Sequence, residues 1–255
     1  MPKNNSNGKI PTPKRVGTPT ASVGVKRLSR SKIDLFMECP RCFYLNFKLN
    51  VKRPPGFPFT LNSAVDALLK KEFDIHRQNQ TPHSLMKENG LDAVPYDHPD
   101  INVWRNTFKG IEYIHPQTGF TISGAIDDVW IDKDGNLFIV DYKATSTTAE
   151  ITLDAEYRQS YKRQMEVYQW LFRKNGFKIS DTGYFVYVNA LKDRELFDNK
   201  LDFDIFLIPY EGDDSWIEPT IINIRETLNK DEIPQASAVC EYCLYRKLAY
   251  EKENV

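Results

Sequence analysis

Phe120–Lys143 reads F-T-I-S-G-A-I-D-D-V-W-I-D-K-D-G-N-L-F-I-V-D-Y-K, two apolar, alternating runs on either side of Asp134-Gly135. That pattern predicts a β-hairpin. Side chains alternate faces along a strand, so Asp141 and Lys143 point the same way as Leu137 and Ile139, and Asp127 shares a face with Val129 and Ile131. Register decides whether Asp127 meets Asp141. If Lys133-Asp134-Gly135 is a three-residue loop with Gly135 in the left-handed position, Asp132 faces Asn136 and Asp127 faces Asp141. A two-residue Asp134-Gly135 loop would put Asp127 opposite Tyr142, on the wrong face.

Two ionised carboxylates held close repel each other unless a cation lies between them. An oxygen-rich site of this kind suits Mg²⁺ or Mn²⁺, completed by water and a substrate phosphate. Such an ion lowers the pKa of bound water and offsets charge on a phosphoryl group. Lys143 would support that charge, and the Tyr142 carbonyl is a further candidate ligand. D-Y-K alone is weak, since roughly two or three such matches arise by chance in a chain this long. Gly124-Ala125-Ile126-Asp127 on the preceding strand is what strengthens it.

Working outward, structure is expected from Leu28. Ser31, with Asp34 three residues on, resembles a helix N-cap with an acidic N3 residue. It opens a short helix through Ile33, Leu35 and Phe36 that Pro40 should end. Phe43-Tyr44-Leu45 and Phe47 continue an apolar surface, and Pro54-Pro55-Gly56-Phe57-Pro58 reads as a rigid connector. A second helix runs from Thr60 to about Gln78, with Leu61, Val65, Leu68, Leu69 and Phe73 on one face. Residues 79–100 read as a loop with a short helix near Ser84–Asn89, and Val103 to His115 as a helix end and then a strand. Beyond Lys143, a long helix is predicted from roughly Tyr157 to Asn175, stopped by Gly176. Its stripe is Tyr161, Gln164, Met165, Tyr168, Leu171 and Phe172. Strands follow at Gly183–Asn189 and around Phe203–Ile208, then a helix from Trp216 to about Leu228 and a Tyr/Lys-rich tail after Cys240. This order argues an α/β domain with a mixed sheet over residues 28–255.

Of the 255 residues, 41% are hydrophobic and 13% aromatic, enough for a sizeable core. Apolar runs fall far short of the ~20 residues of a membrane span, and no signal-peptide core is visible, so a cytoplasmic protein with no membrane partner is expected. Net charge is −1, but residues 1–33 hold eight basic residues and no acid. The remainder has 26 basic against 35 acidic residues, a net of −9. The Pro/Ser/Thr/Asn-rich segment 1–27 is therefore expected to be a disordered basic tail, and any nucleic-acid path over the acidic body to be narrow.

All four cysteines fall in two C-x-x-C pairs, Cys39/Cys42 and Cys240/Cys243, near opposite ends of the folded part. In an intracellular chain that usage favours metal over disulfides. Four thiolates suit tetrahedral Zn²⁺ or a [4Fe–4S] cluster, and either would staple the chain ends together. Free thiols are the remaining reading. Gln164 and Tyr168 share a helix face at i, i+4. A Gln in an apolar stripe needs a polar partner, either a backbone carbonyl or a site.

G-A-I-D-D-V-W, then I-V-D-Y-K-A-T, then Q-M-E-V-Y on a following helix resembles the PD-(D/E)XK nucleases, specifically the RecB-like branch of recombination and CRISPR-adaptation exonucleases. The resemblance implies a mixed central sheet flanked by helices. It implies Asp127 and Asp141 as metal-binding acids, Lys143 as catalytic lysine, and Gln164 and Tyr168 as the Q-x-x-x-Y helix motif. It also favours a [4Fe–4S] cluster on the cysteines, although members of that branch place one cysteine early and three late, against two plus two here. Where that branch often has a metal-binding His on the helix before the hairpin, this chain has Asp66. The implied function is Mg²⁺- or Mn²⁺-dependent cleavage of single-stranded or open-ended DNA in repair, recombination or foreign-DNA processing, with a helicase or CRISPR protein as partner. The alternative is a weakened nuclease-like binding or adaptor module of a helicase assembly. The cysteine staple would present Arg41, Arg246 and Lys247 to DNA. His76, His83, His98 and His115 are assigned no role.

Overall fold

The computed structural model describes residues 26–56, 60–155 and 158–254. Nearly all of the expected basic tail, and Phe57 and Pro58 of the connector, lie outside the described residues. The chain begins with β1 (Arg27–Ser29), α1 (Arg30–Glu38), α2 (Pro40–Phe47), α3 (Thr60–Asn79), α4 (Ser84–Glu88), β2 (Ala93–Pro95), α5 (Ile101–Trp104) and β3 (Ile111–Ile114). It continues through β4 (Thr121–Gly124), β5 (Asp128–Asp132), β6 (Leu137–Thr145), α6 (Gln159–Lys174), β7 (Thr182–Ala190), β8 (Phe203–Glu211), α7 (Ile217–Asn229) and α8 (Glu241–Glu253).

Two sheets form, a five-stranded one in the order β2-β5-β6-β7-β8 and a three-stranded one in the order β1-β4-β3. In the larger sheet only β6 and β7 run parallel, joined by the α6 crossover, and the other pairs are antiparallel. This is the expected mixed sheet flanked by helices. One face carries Val129, Ile139 and Phe185, covered by Met165, Tyr168 and Leu171 of α6. The opposite face carries Trp130, Phe138, Val140 and Val186, covered by Leu69 and Phe73 of α3 and Met86 of α4.

The hairpin adopts the register of the three-residue loop. Val129 faces Ile139 and Ile131 faces Leu137. Asp132 N–H donates to the Asn136 carbonyl at 3.1 Å, and Gly135 takes φ +77°. Only a residue without a Cβ adopts that backbone cheaply. Asp132 Oδ1 also accepts from the backbone of Asp134 and Asn136, which closes the turn.

The apolar run before the turn is not one strand. It splits into β4 and β5, which belong to different sheets, and Ala125–Asp127 carries the chain from one to the other. At the end of β4 the backbone lies against α6, and a Cβ added at Gly124 would come within 2.6 Å of the Tyr168 ring. α6 therefore passes directly over the end of β4, and the two sheets splay around that helix.

Other differences follow from packing. Pro40 ends α1 as expected but also opens α2 at its first position, where its missing N–H costs nothing. Ser29, not Ser31, is the N-cap of α1, and its side chain makes no capping bond. On α3 only Leu69 and Phe73 of the expected face are buried, while Leu61 and Leu68 are exposed. α6 does not have a single stripe, for Met165 through Phe172 are all buried, enclosed between the two sheets and α1. The tail after Cys240 is the helix α8, with no buried residue, and β2 is an edge strand that the loop reading passed over. No described helix is long and apolar enough to cross a membrane.

Gly124→Val forces the buried Tyr168 ring to move, an overpacking cost of about 1–3 kcal/mol. Thermal unfolding should show Tm lowered by several degrees; an unchanged Tm would mean that α6 does not sit tightly on β4.

Candidate active site

β5 begins one residue after Asp127, so the backbone has already left the ladder at the position opposite Asp141. The Asp127 carboxylate fills the gap, its Oδ2 accepting the Tyr142 N–H at 2.9 Å where a strand carbonyl would otherwise lie. Arg105 fixes the backbone there, donating from Nε to the Asp127 carbonyl at 2.9 Å. The same guanidinium reaches Asp74 and Asp128.

Asp128, fully buried on the α3 face, is the anchor of this break. Arg77 donates to its Oδ1 at 2.5 Å and Arg105 at 3.0 Å, while the Tyr142 hydroxyl donates to Oδ2 at 2.9 Å. Burial, with Asp128 beside it, pushes the Tyr142 phenol well above its ordinary pKa. Burial alone would also raise Asp74, but Arg105 and Arg77 outweigh it and hold that carboxyl below its usual range.

On the α6 face, Asp141 is completely buried. Gln164 Nε2 donates to its Oδ1 at 2.7 Å, and Lys143 Nζ bonds Oδ2. Gln164 also reaches the Tyr168 hydroxyl at 3.2 Å. The polar group in the helix thus finds its partner in the acid. Burial raises Asp141 to about 6; the Lys143 charge opposes the shift, and the nearby Asp127 carboxylate adds to it. Burial also pushes Tyr168 to about 12, against the opposing charge of Arg30. The Lys143 ammonium lies 4.5 Å from the Tyr161 ring centre, a cation–π contact that fixes the lysine.

From α3, Lys70 Nζ sits between Asp66, at 2.9 Å, and Asp127 Oδ1, at 3.1 Å. Burial would lower this amine, but Asp127 and Asp66 outweigh burial and raise it. Asp66 is itself raised, by burial and by the Asp127 charge. Small cavities open on both sides of the acids. One of about 110 Å³ lies between Asn62, Asp66, Lys143 and Tyr161. Another, of about 200 Å³, is lined by Arg30, Ser31, Ser123 and Tyr168.

A sequence model of the PD-(D/E)XK nuclease superfamily matches residues 27–248. The chain belongs to this superfamily. No curated protein matches it. Among solved structures, one described as the crystal structure of SSO0001 is similar at 15% identity, covering 89% of this chain and 87% of that one with a TM-score of 0.37. Membership of a nuclease superfamily implies a nucleic-acid substrate, and its members typically use divalent metals.

All the residues proposed for this PD-(D/E)XK site from the sequence, Asp66, Asp127, Asp141, Tyr142, Lys143, Gln164 and Tyr168, come together in one neighbourhood. Sequence reading missed Lys70, Arg30, Arg105 and Asp128. Lys70 had one available signal, the i, i+4 spacing from Asp66, which reads equally as an ordinary helix-surface pair. The acids are not tightly gathered. Among the described residues, only Cys39, Cys42, Cys240 and Cys243 form a group whose ligand atoms all lie within 4.8 Å of one another.

Those cysteines occupy equivalent places on two helices. Cys39 and Cys240 are the N-caps of α2 and α8, and Cys42 and Cys243 lie three residues on, in the first turns. Burial opposes ionisation of Cys39, but backbone hydrogen bonds from Cys42 and Ser237 outweigh it and bring the thiol down to about 7.

Asp128→Ala removes the buried partner of Arg77 and Arg105 and leaves both to pair with Asp74. Urea unfolding is expected to show a loss of about 3–5 kcal/mol. A loss below about 1 kcal/mol would mean that the cluster does not hold the strand break.

Proposed function

We propose that this chain is a Mg²⁺- or Mn²⁺-dependent DNA nuclease of the RecB-like branch, acting on single-stranded or open-ended DNA. The observation that carries the reading is the single bonded set Asp141–Lys143–Gln164, with Asp127 at the adjoining break in β5. The donors suit a hard cation. Mg²⁺ uses one or two carboxylates and keeps several waters, so Asp127, Asp141 and the Tyr142 carbonyl suffice without a tighter cage. The high pKa of Asp141, caused by burial and by Asp127, is the electrostatic stress that a cation relieves. A bound ion would supply an activated water and offset phosphoryl charge.

The remaining roles fall to the chain itself. Gln164 holds Asp141 in one rotamer by donating to Oδ1, which leaves Oδ2 to Lys143. The Lys143 ammonium, held against Tyr161, is available to stabilise the charge of the reacting phosphate. Arg30, Ser31 and Ser123 line the neighbouring cavity with donors suited to a phosphodiester backbone. On this reading the chain acts in DNA repair, recombination or foreign-DNA processing, beside a helicase or CRISPR protein in the cytoplasm.

One observation favours a second reading, a binding module with weak turnover. The Lys70 ammonium already neutralises Asp66 and Asp127, the acids on the α3 side. The two readings separate in one assay of labelled single-stranded and open-ended DNA with Mg²⁺ or Mn²⁺. Metal-dependent cleavage is expected, falling at least about 100-fold in Asp141→Ala and in Lys143→Ala, with both variants folded by circular dichroism. Cutting retained in both would sink the site assignment. Salt-sensitive binding without cleavage in the wild type would establish the module instead.

A further inference from the structure

The four cysteine sulfurs lie closer together than the thiolates of the cluster that the RecB-like resemblance implies. Cys42 Sγ is 3.5 Å from Cys243 Sγ and 3.6 Å from Cys240 Sγ, and Cys39 Sγ is 3.9 Å from Cys243 Sγ. All four lie within 4.8 Å of one another. A single ion with metal–sulfur bonds of about 2.3 Å puts its four tetrahedral thiolates about 3.8 Å apart. A [4Fe–4S] cube carries its irons at alternate corners with the thiolates pointing outward, roughly 6 Å apart. The observed spacings match the first and are shorter than the second.

We propose that Cys39, Cys42, Cys240 and Cys243 hold one structural Zn²⁺ in place of an iron–sulfur cluster. The backbone agrees with the distances. Each C-x-x-C pair gives one sulfur from a helix N-cap and one from the first turn, so α2 and α8 both direct their N-termini at the same point. Two helix N-termini favour the negative charge of four thiolates. Arg53 supplies a further positive contact, with Nη2 3.6 Å from Cys240 Sγ while Nη1 binds Glu38 at 2.6 Å. Its guanidinium stacks 4.5 Å from the Tyr242 ring centre. Three of the cysteines are buried and the fourth is half-buried, and four protein thiolates complete a tetrahedral coordination. No position is left for water or substrate, and the ion is structural rather than catalytic.

The test is metal analysis of the full-length protein purified anaerobically from cells supplied with both iron and zinc, read by elemental analysis and a visible absorbance scan. About one zinc per chain, with a colourless solution, is the expected result. Iron at about four per chain with acid-labile sulfide and a broad visible band would overturn the proposal in favour of the cluster. A single coloured iron per chain, or no metal at all, would overturn it equally. Replacing zinc with Co²⁺ should give the intense visible bands of a tetrahedral thiolate site; weak, octahedral-type bands would count against the geometry. None of these readouts depends on DNA cleavage, so the zinc assignment and the nuclease reading stand or fall separately.

Discussion

A carboxylate buried as deeply as Asp128 cannot remain ionised unless its charge is met by partners inside the protein. Here it meets two guanidinium groups and a phenol, and each partner belongs to a different part of the fold. Arg77 comes from the end of α3, Arg105 from the turn after α5, and Tyr142 from the middle of β6. The cluster therefore ties three segments to the first residue of β5. Arg105 also holds the carbonyl of Asp127. The acid at the candidate site is thus placed by the charge of its sequence neighbour, which points to the opposite face of the sheet.

This arrangement explains why the strand breaks where it does. A continuous strand through Ala125–Asp127 would carry Asp127 into the ladder, with its side chain standing off the α6 face like those of Val129 and Ile139. By leaving the ladder one residue early, the chain turns the carboxylate back toward the Tyr142 N–H. Asp127 can then be reached from α3 as well as from β6, and Lys70 reaches it. The enclosed helix α6 brings Gln164 and Tyr168 from the other side. Tyr168 lies over Gly124, so the helix that carries the motif also sets the splay of the two sheets.

The sequence was readable where local chemistry decides structure. Gly135 dictates its turn, and the turn dictates the register, so the pairing across the hairpin followed from a few residues. α3, α6, β7 and β8 were legible within a residue or a few at their ends because their apolar periodicity is strong. The split between β4 and β5 left no such trace. Phe120 to Trp130 reads as one alternating strand, and the Tyr168 ring that packs against Gly124 lies more than forty positions away. β2 is only Ala93–Pro95, and its proline argues against a strand anywhere but at an edge. α8 was missed because it buries nothing, leaving no amphipathic stripe to read. Asp128 was passed over because alternation puts it on the far face from Asp127, and a buried acid becomes recognisable only when its cations are in view.

The charge balance around the candidate site differs from that of the body as a whole. A body of net −9 repels a polyanion over most of its surface. Around the candidate site each acid has a cation beside it, drawn from a separate element: Lys70 on α3 for Asp66 and Asp127, and Lys143 on β6 for Asp141. Arg30 on α1 adds a further charge that acts on Asp141. The charges of these three carboxylates are thereby met by fixed cations. Uncompensated, three carboxylates would repel a phosphate; with ammonium groups fixed beside them they repel it less. The i, i+4 pair on α3, which on an exposed helix would contribute only a few tenths of a kcal/mol, gains its importance from where the fold puts it.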